Sequence, residues 1–441
     1  MAVIFEKLFR RPFLIAVIIC VFVFYSEIFP LFTNLSNFGK SPVFFLFKKE
    51  SISAVSGKIM SSPVKVSSGR YYSCNFSLSA SADDCGAWAD AGGTLTLMIP
   101  SSLVEALYPG GLFSGSSGSA MPPASAKGFP RSSFIFESGL CASFTGRLGR
   151  SGADCIFYAA ECLQACWPET LWGTCMRFRA LCRLYFKRMM FAWGSAGGLL
   201  LALLCGARDF TESETADAFR MAGLSHILAL SGMHLSLFSG LAAFAGKKLK
   251  SIRLTNVLRI STICLFVWFA GFSPSLLRAF LSSLIAILSA SLGILCGTAD
   301  ILCLSFLIQS AVCPSHIHNA AFLLSYGALA GITLFSSLIH RLLVKFLPQK
   351  ISSSLAASAS AQSLTAPLSL KLFGSFCPVG IFATCLISPL VTFFIYGGLV
   401  LIVLSLILPV LQAPSGIFMN FLYTVIKKSV LFFSRAPFLE V

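Results

Sequence analysis

Charge is the scarce ingredient of this sequence, and acidic residues are the scarcest part of it. Of 441 residues only 11% are charged, 17 of them Asp or Glu against 33 Lys or Arg. Soluble domains carry about 25% charged residues, so a chain this poor in charge and 56% hydrophobic reads as a polytopic membrane protein. Motifs are missing too. No P-loop occurs, so any energy from nucleotide hydrolysis has to come from another chain. There is no HExxH and no GxSxG elbow, which removes two common signatures of hydrolytic sites. Histidine is rare, with 5 in the chain, and no spacing reads as a metal site. The CxxxC at Cys162 and Cys166 has neither a second pair nor a histidine nearby. No metal and no cofactor is therefore expected.

Basic charge and cysteine are present in excess. The net charge of +16 fits positive-inside loops touching lipid headgroups, and the same balance favours a polyanionic substrate. Most of the 16 cysteines lie in apolar runs, where Cys behaves as a small hydrophobe. Cys74 and Cys85 differ, because they fall in the one polar segment. If that segment lies outside the cytoplasm, they are a candidate disulfide.

The chain is organised around residues 223–246, GLSHILALSGMHLSLFSGLAAFAG. This run is long enough to cross a bilayer at a rise of about 1.5 Å per residue, yet it carries His226 and His234. Read as one helix, it sets them roughly 80° apart on the same half of the surface, with Ser231 one turn before His234. Small residues between them suit close helix approach.

Four regions follow from the patterning. Residues 1–49 hold Lys7, Arg10 and Arg11 ahead of an apolar run over 12–32, read as a retained membrane helix with a cytoplasmic N-terminus rather than a cleaved signal. Residues 50–135 contain short alternating runs, expected to be strands of a small extracytoplasmic all-β domain, and a Ser/Gly-rich loop over 114–133. Residues 136–196 form a linker with an interfacial amphipathic helix expected over 156–191, where basic and apolar residues mix. Residues 197–441 form a transmembrane core. Beyond residue 246, Lys247, Lys248, Lys250, Arg253 and Arg259 mark a cytoplasmic loop. Spans are then expected at about 254–271, 275–296, 300–313, 319–339, 355–373, 376–395 and 397–411, with 417–433 along the surface. A capping box at Thr211 and Glu214 opens a short helix just before the organising stretch.

Candidate site residues are the polar groups that such a core would not bury without reason. Arg278 follows Pro274 in a helix expected to start with Ser273 as N-cap. A cation that deep costs at least about 2.5 to 3.5 kcal/mol, so it marks either an anion contact or a snorkelling arginine. His226, Ser231 and His234 are candidates either for a polar path or for a Ser–His pair, though no carboxylate in the same span orients the imidazole. Gln309, Gln362 and Thr384 complete the path candidates, each equally readable as a helix–helix hydrogen bond.

Residues 218–240, AFRMAGLSHILALSGMHLSLFSG, resemble the signature of the ComEC competence-protein family of inner-membrane DNA-uptake channels. SPSLLRAFLSS over 273–283, NAAFLLSYGALAGI over 319–332 and residues 360–391 are similar to further blocks, so the likeness covers about residues 197–437. Leu323 and Thr384 depart from the usual residues of relatives, and the HxHxDH ligand run of the nuclease-like domain in longer relatives is missing, so nuclease activity is not carried over. The resemblance implies a channel for single-stranded DNA and an OB-like β domain. There Arg70, Tyr71, Tyr72 and Phe76 are the DNA-contact candidates. As partners it implies a separate DNA receptor, a nuclease, and a cytoplasmic motor or strand-binding protein, with a homo-oligomer left open. An intramembrane hydrolase using Ser231 and His234, or a small-solute transporter, are the alternatives.

Overall fold

In the computed structural model the described residues are 16–17, 43–45, 51–66, 69–105, 135–151, 154–294, 296–435 and 439–440. They fall into two units: those within Lys40–Gly198 and Ala207–Phe210, and those within Met1–Gly39, Leu199–Gly206 and Thr211–Val441. The expected N-terminal membrane helix, except Ala16 and Val17, and the Ser/Gly-rich loop lie outside the described residues.

The first unit is a small β-barrel. Its strands are β1 (Phe44–Phe45), β2 (Ile52–Ile59), β3 (Val64–Lys65), β4 (Tyr71–Asp83), β5 (Trp88–Gly92), β6 (Thr94–Pro100), β7 (Cys141–Ser151) and β8 (Asp154–Cys166). Following the ladders, β4 pairs with β2, β2 with β7, β7 with β8, and β8 in parallel with β6. The ring closes where β6 pairs with β4. Closure leaves these strands without a free edge. Alternation then decides the core: in β4, Tyr72, Cys74, Phe76 and Leu78 point inward while Tyr71, Ser73, Asn75 and Ser77 do not. The ladders have four register shifts, two in each pairing, and one in each carries a glycine whose Cβ would lie 2.0 Å from a backbone oxygen: Gly57 against Ser77 and Gly146 against Tyr158.

Here two expectations are corrected. Residues 154–166 are strand, not the start of an amphipathic helix, so the β region continues well past residue 135. The reason is visible in CIFYAAECLQAC: its apolar positions satisfy a two-residue period once a partner, β7, is present. The helix begins later, as α2 (Leu171–Ala192), after the short α1 (Ser101–Glu105); Thr170 caps it, accepting from Gly173 N–H at 3.1 Å. Its basic residues do not all face a membrane surface. Arg179, Arg183 and Lys187, four apart and so on one face, are buried, and Ala180 and Leu184 beside them join the barrel core.

The second unit is helical. After α3 (Gly194–Cys205), which enters it at Leu199, come α4 (Ser213–Met221), α5 (Ser225–Leu228), α6 (Gly232–Gly246), α7 (Ile252–Ala270), α8 (Pro274–Ser291), α9 (Thr298–Val312), α10 (Ala320–Leu343), α11 (Gln349–Phe373), α12 (Gly380–Ile407) and α13 (Gln412–Ser434). Among the described residues five helices are long and apolar enough to cross a membrane: α7, α8, α10, α12, and α13 with the turn before it. The chain is a multi-pass membrane protein. Ser273 caps α8 as expected, accepting from Leu276 N–H at 3.3 Å.

Several boundaries differ from expectation. The spans expected at 376–395 and 397–411 are one helix, α12, because Gly397 and Gly398 do not interrupt an otherwise continuous apolar run. The terminal segment is a candidate span rather than a surface helix, with Lys427 ion-paired to Glu212 at 2.7 Å and Glu214 at 2.8 Å. Glu212, not Thr211, occupies the cap position of α4. Most consequential, residues 223–246 are not one helix. Ala229 and Ser231 are extended, so α5 ends after a single turn and α6 starts afresh at Gly232.

Candidate functional site

The break between α5 and α6 organises the polar residues of the helical unit. Ser231 occupies the N-cap of α6, and the His234 side chain reaches back to it: His234 Nδ1 accepts the Ser231 backbone N–H at 3.2 Å, with Ser231 Oγ 3.3 Å away. That is a capping-box arrangement with histidine in the usual Glu position. With Nδ1 accepting, the ring proton of a neutral imidazole sits on Nε2. That atom is buried and has no hydrogen-bond partner among the described residues. His226 lies on α5, exposed, so the expected shared half-surface of His226 and His234 does not exist.

Helix α8 meets this break. Ser275 Oγ donates to Leu230 O, in the link between α5 and α6, over 2.8 Å. One turn on, Arg278 lies against the first turn of α6, its Nη2 3.3 Å from where a Cβ on Gly232 would stand. Arg278 is 8% exposed and its Nε has no hydrogen-bond partner. Among the described residues it forms no salt bridge. Its surroundings make this unfavourable twice over: a buried cation has lost its hydration, and the N-terminal ends of α6 and α8 carry the positive poles of their helix dipoles.

Two of the other expected path residues are committed. Gln309 on α9, fully buried, donates through Nε2 to Pro274 O at 3.0 Å, lies 3.3 Å from His316 Nδ1, and accepts from Tyr326 OH at 3.1 Å. It ties α8, α9, the turn Pro314–His318 and α10 together, so Gln309 makes hydrogen bonds between helices. Thr384 donates to Gly380 O within its own helix at 2.6 Å. Gln362 differs. Its Oε1 is buried without a partner, and its Nε2 lies 3.0 Å from a Cβ position on Gly380, at the start of α12. His234, Arg278 and Gln362 thus hold the unsatisfied polar atoms among the expected path residues, and each unsatisfied buried group calls for an explanation.

In the barrel the expected aromatic cluster is partly overturned. Tyr72 and Phe76 are fully buried core residues, because the period of two sends every second side chain of β4 inward. Arg70 is exposed and Tyr71 half-buried. Tyr71 meets Tyr158 of β8 edge to face at 5.6 Å. Tyr158, 40% exposed, pairs in register with exposed Arg147 and with Met98. Reading 156–166 as helix hid Tyr158; counting it as strand finds it. The expected Cys74–Cys85 disulfide is also overturned. Cys74 is buried in β4 and Cys85 lies exposed beyond its far end. A strand rising about 3.3 Å per residue separates them well past the roughly 7 Å limit between bridged Cα atoms.

A buried ionic network lies where no functional residue was expected. Glu137 accepts from Arg183 Nε at 3.1 Å and from Ser62 Oγ, Arg179 donates to Ser138 at 2.8 Å, and Lys187 pairs with Asp209 at 2.7 Å. Burial alone pushes the Glu137 carboxyl up; the Arg183, Lys187 and Arg179 cations and the Ser62 hydroxyl overcome it and hold it at about 2. This cluster fastens α2 to the barrel.

Comparison with known proteins bears on the helical unit. ComE operon protein 3 of Bacillus subtilis (strain 168) is 29% identical over 219 residues, which cover 47% of this chain and only 26% of that protein. No solved structure matches. Residues 203–441 match the family described as Competence protein, a stretch that holds the α5–α6 break, Arg278, Gln309 and Gln362, and this chain belongs to that family.

Proposed function

We propose that this chain conducts single-stranded DNA across the cytoplasmic membrane during natural transformation, with phosphates passing Arg278. One observation carries the reading: a buried arginine with no carboxylate partner among the described residues, set against the positive ends of two helices, is an electrostatic defect that an anion relieves. Membership of the competence family and the likeness to ComE operon protein 3 support DNA uptake as the process. His234 Nε2–H and Gln362 extend the path as further polar contacts. Several weak contacts suit conduction, because the strand leaves as readily as it enters. The reading pairs the channel with a surface DNA receptor, a nuclease, and a cytoplasmic motor or strand-binding protein.

The β-barrel is read as OB-like and extracytoplasmic, with a cytoplasmic N-terminus. Its five long strands closing on themselves support the first point. The Tyr71–Tyr158 pair, with Arg147 and Arg70 exposed nearby, supports stacking of unpaired bases.

The Ser231–His234 distance of 3.3 Å also favours a hydrolytic reading. Against it, His234 Nδ1 already accepts a backbone N–H, which leaves the imidazole a poor base for the Ser231 hydroxyl. The test is entry of labelled DNA into cells lacking the protein and re-expressing intact chain, Arg278→Gln or Ser231→Ala at matched membrane levels. The channel reading expects entry with the intact chain, strong loss in Arg278→Gln and mild loss in Ser231→Ala. Unchanged entry in cells without the protein overturns it.

A further inference from the structure

The cysteines of the β unit differ sharply in what their surroundings allow. Cys74 points into the barrel core, where burial, with Glu137 adding to it, pushes its thiol up to about 12. Cys162 is held near 11, again by burial first, while its Sγ lies 3.6 Å from Gln164 O. Neither is a good nucleophile, since the thiolate is the reactive form. Cys85 sits on a turn, and Cys155 stands opposite Arg150.

Cys141 and Cys166 are the exception. They are Cα partners in the β7–β8 ladder, at its open end, with Cys166 exposed and Cys141 half-buried. Directly opposed residues of an antiparallel pair put their side chains on the same face, with Cα atoms about 4.5 or 5.5 Å apart according to the pair type. Both spacings fall within the roughly 4.4 to 6.8 Å that a disulfide spans. Among the described residues no other two cysteines of the β unit face each other in this way. The two thiols also feel one another: burial raises the Cys141 thiol and Cys166 raises it further, while Lys58, its partner on the other side in β2, pulls it down.

We infer that Cys141 and Cys166 form a redox-active dithiol/disulfide pair that staples the open end of the β7–β8 hairpin, immediately before the segment that leads into α2. The oxidant is an external disulfide, either a small-molecule one or that of a thiol oxidoreductase. One cysteine thiolate attacks a sulfur of that disulfide, and one external thiol leaves. The second cysteine then attacks the mixed disulfide at the protein sulfur, the Cys141–Cys166 bond forms, and the second external thiol leaves. Two electrons pass from the two protein thiols to the external disulfide, and the two thiol protons end on the two departing thiols. The exposure of Cys166 gives the exchange its point of entry. The inference stands apart from DNA conduction.

The test uses the full chain in detergent, equilibrated in glutathione buffers of stepped redox poise, quenched with acid and alkylated with a mass-tagging maleimide. As the poise becomes oxidising, two tags are expected to be lost together. Peptide mapping of the oxidised wild-type chain then yields one cross-linked species containing Cys141 and Cys166, lost on reduction. Cys141→Ser and Cys166→Ser each abolish the paired loss; Cys162→Ser retains it. Two tags retained at full oxidation, or a cross-linked species joining other cysteines with 141 and 166 both still alkylated, overturn the inference. The mapping needs no variant, so a substitution that fails to fold does not leave the question open.

Discussion

The two units bury their cations in opposite ways. In the barrel unit Arg183 has Glu137 and Lys187 has Asp209, so these two cations enter the interior with a counter-charge, while Arg179 beside them donates to Ser138. In the helical unit Arg278 is buried to a similar degree with no such partner among the described residues. Desolvation of an ion costs several kcal/mol unless geometry returns it, so a paired cation can be explained by folding alone. An unpaired one is not explained in that way.

The largest expected effect breaks the paired side. Glu137→Ala leaves Arg183 buried and uncompensated, and is expected to destabilise the barrel unit by about 3 to 5 kcal/mol, read as loss of the folded chain in thermal unfolding or limited proteolysis. Replacing both members, Glu137→Leu with Arg183→Met, is expected to restore most of that stability, since a packed apolar pair substitutes well for a buried ion pair.

Next in size is pH. The Glu137 carboxyl is depressed from 4.5 to about 2, so its contribution is complete above its unfolded value and is lost as pH falls from about 4.5 through 2. At about 1.4 kcal/mol per unit this amounts to roughly 3 kcal/mol. Unfolding midpoints of the barrel unit are expected to fall across that window, and the double Leu/Met variant is expected to flatten the fall.

On the unpaired side the sign reverses. Arg278→Met removes a charge that nothing compensates, so stability is expected to stay level or rise by about 1 kcal/mol, while DNA entry falls by about tenfold or more. A destabilisation as large as that of Glu137→Ala would show that Arg278 has a structural partner and would erase the contrast. Smallest is Ser231→Ala, which removes the α6 cap and is expected to cost about 1 kcal/mol with DNA entry lowered only slightly. Complete loss of entry in a folded variant would favour the hydrolytic reading.

Much of the helical unit was legible because span length and apolarity are local properties: α7, α8 and α10 lie close to their expected positions, and the Ser273–Pro274 start of α8 is written in consecutive residues. Strand alternation in β4 was equally local, yet which face becomes the core depends on the closed ring, and that turned Tyr72 and Phe76 from a surface platform into packing. The stretch 154–166 failed for the same reason. Its residues tolerate either period, and only pairing with β7 selects the strand. The break before α6 was hidden because no proline marks it; its extended backbone is held by Ser275 from another helix and by the His234 cap.

By itself, then, the sequence determined that the chain is a membrane protein, roughly where its helices run, and which few polar side chains would have to be explained. Those follow from composition and from residues within a turn or two of each other. Only the tertiary structure decided which of these polar groups are satisfied. Gln309 found three partners on separate elements, Arg183 found Glu137 across 46 positions of chain, and Arg278 found no ion-pair partner among the described residues with its Nε left unbonded. Hydrogen bonds and ion pairs in a low-dielectric interior are decided over a few ångströms of space, a distance that sequence separation does not encode.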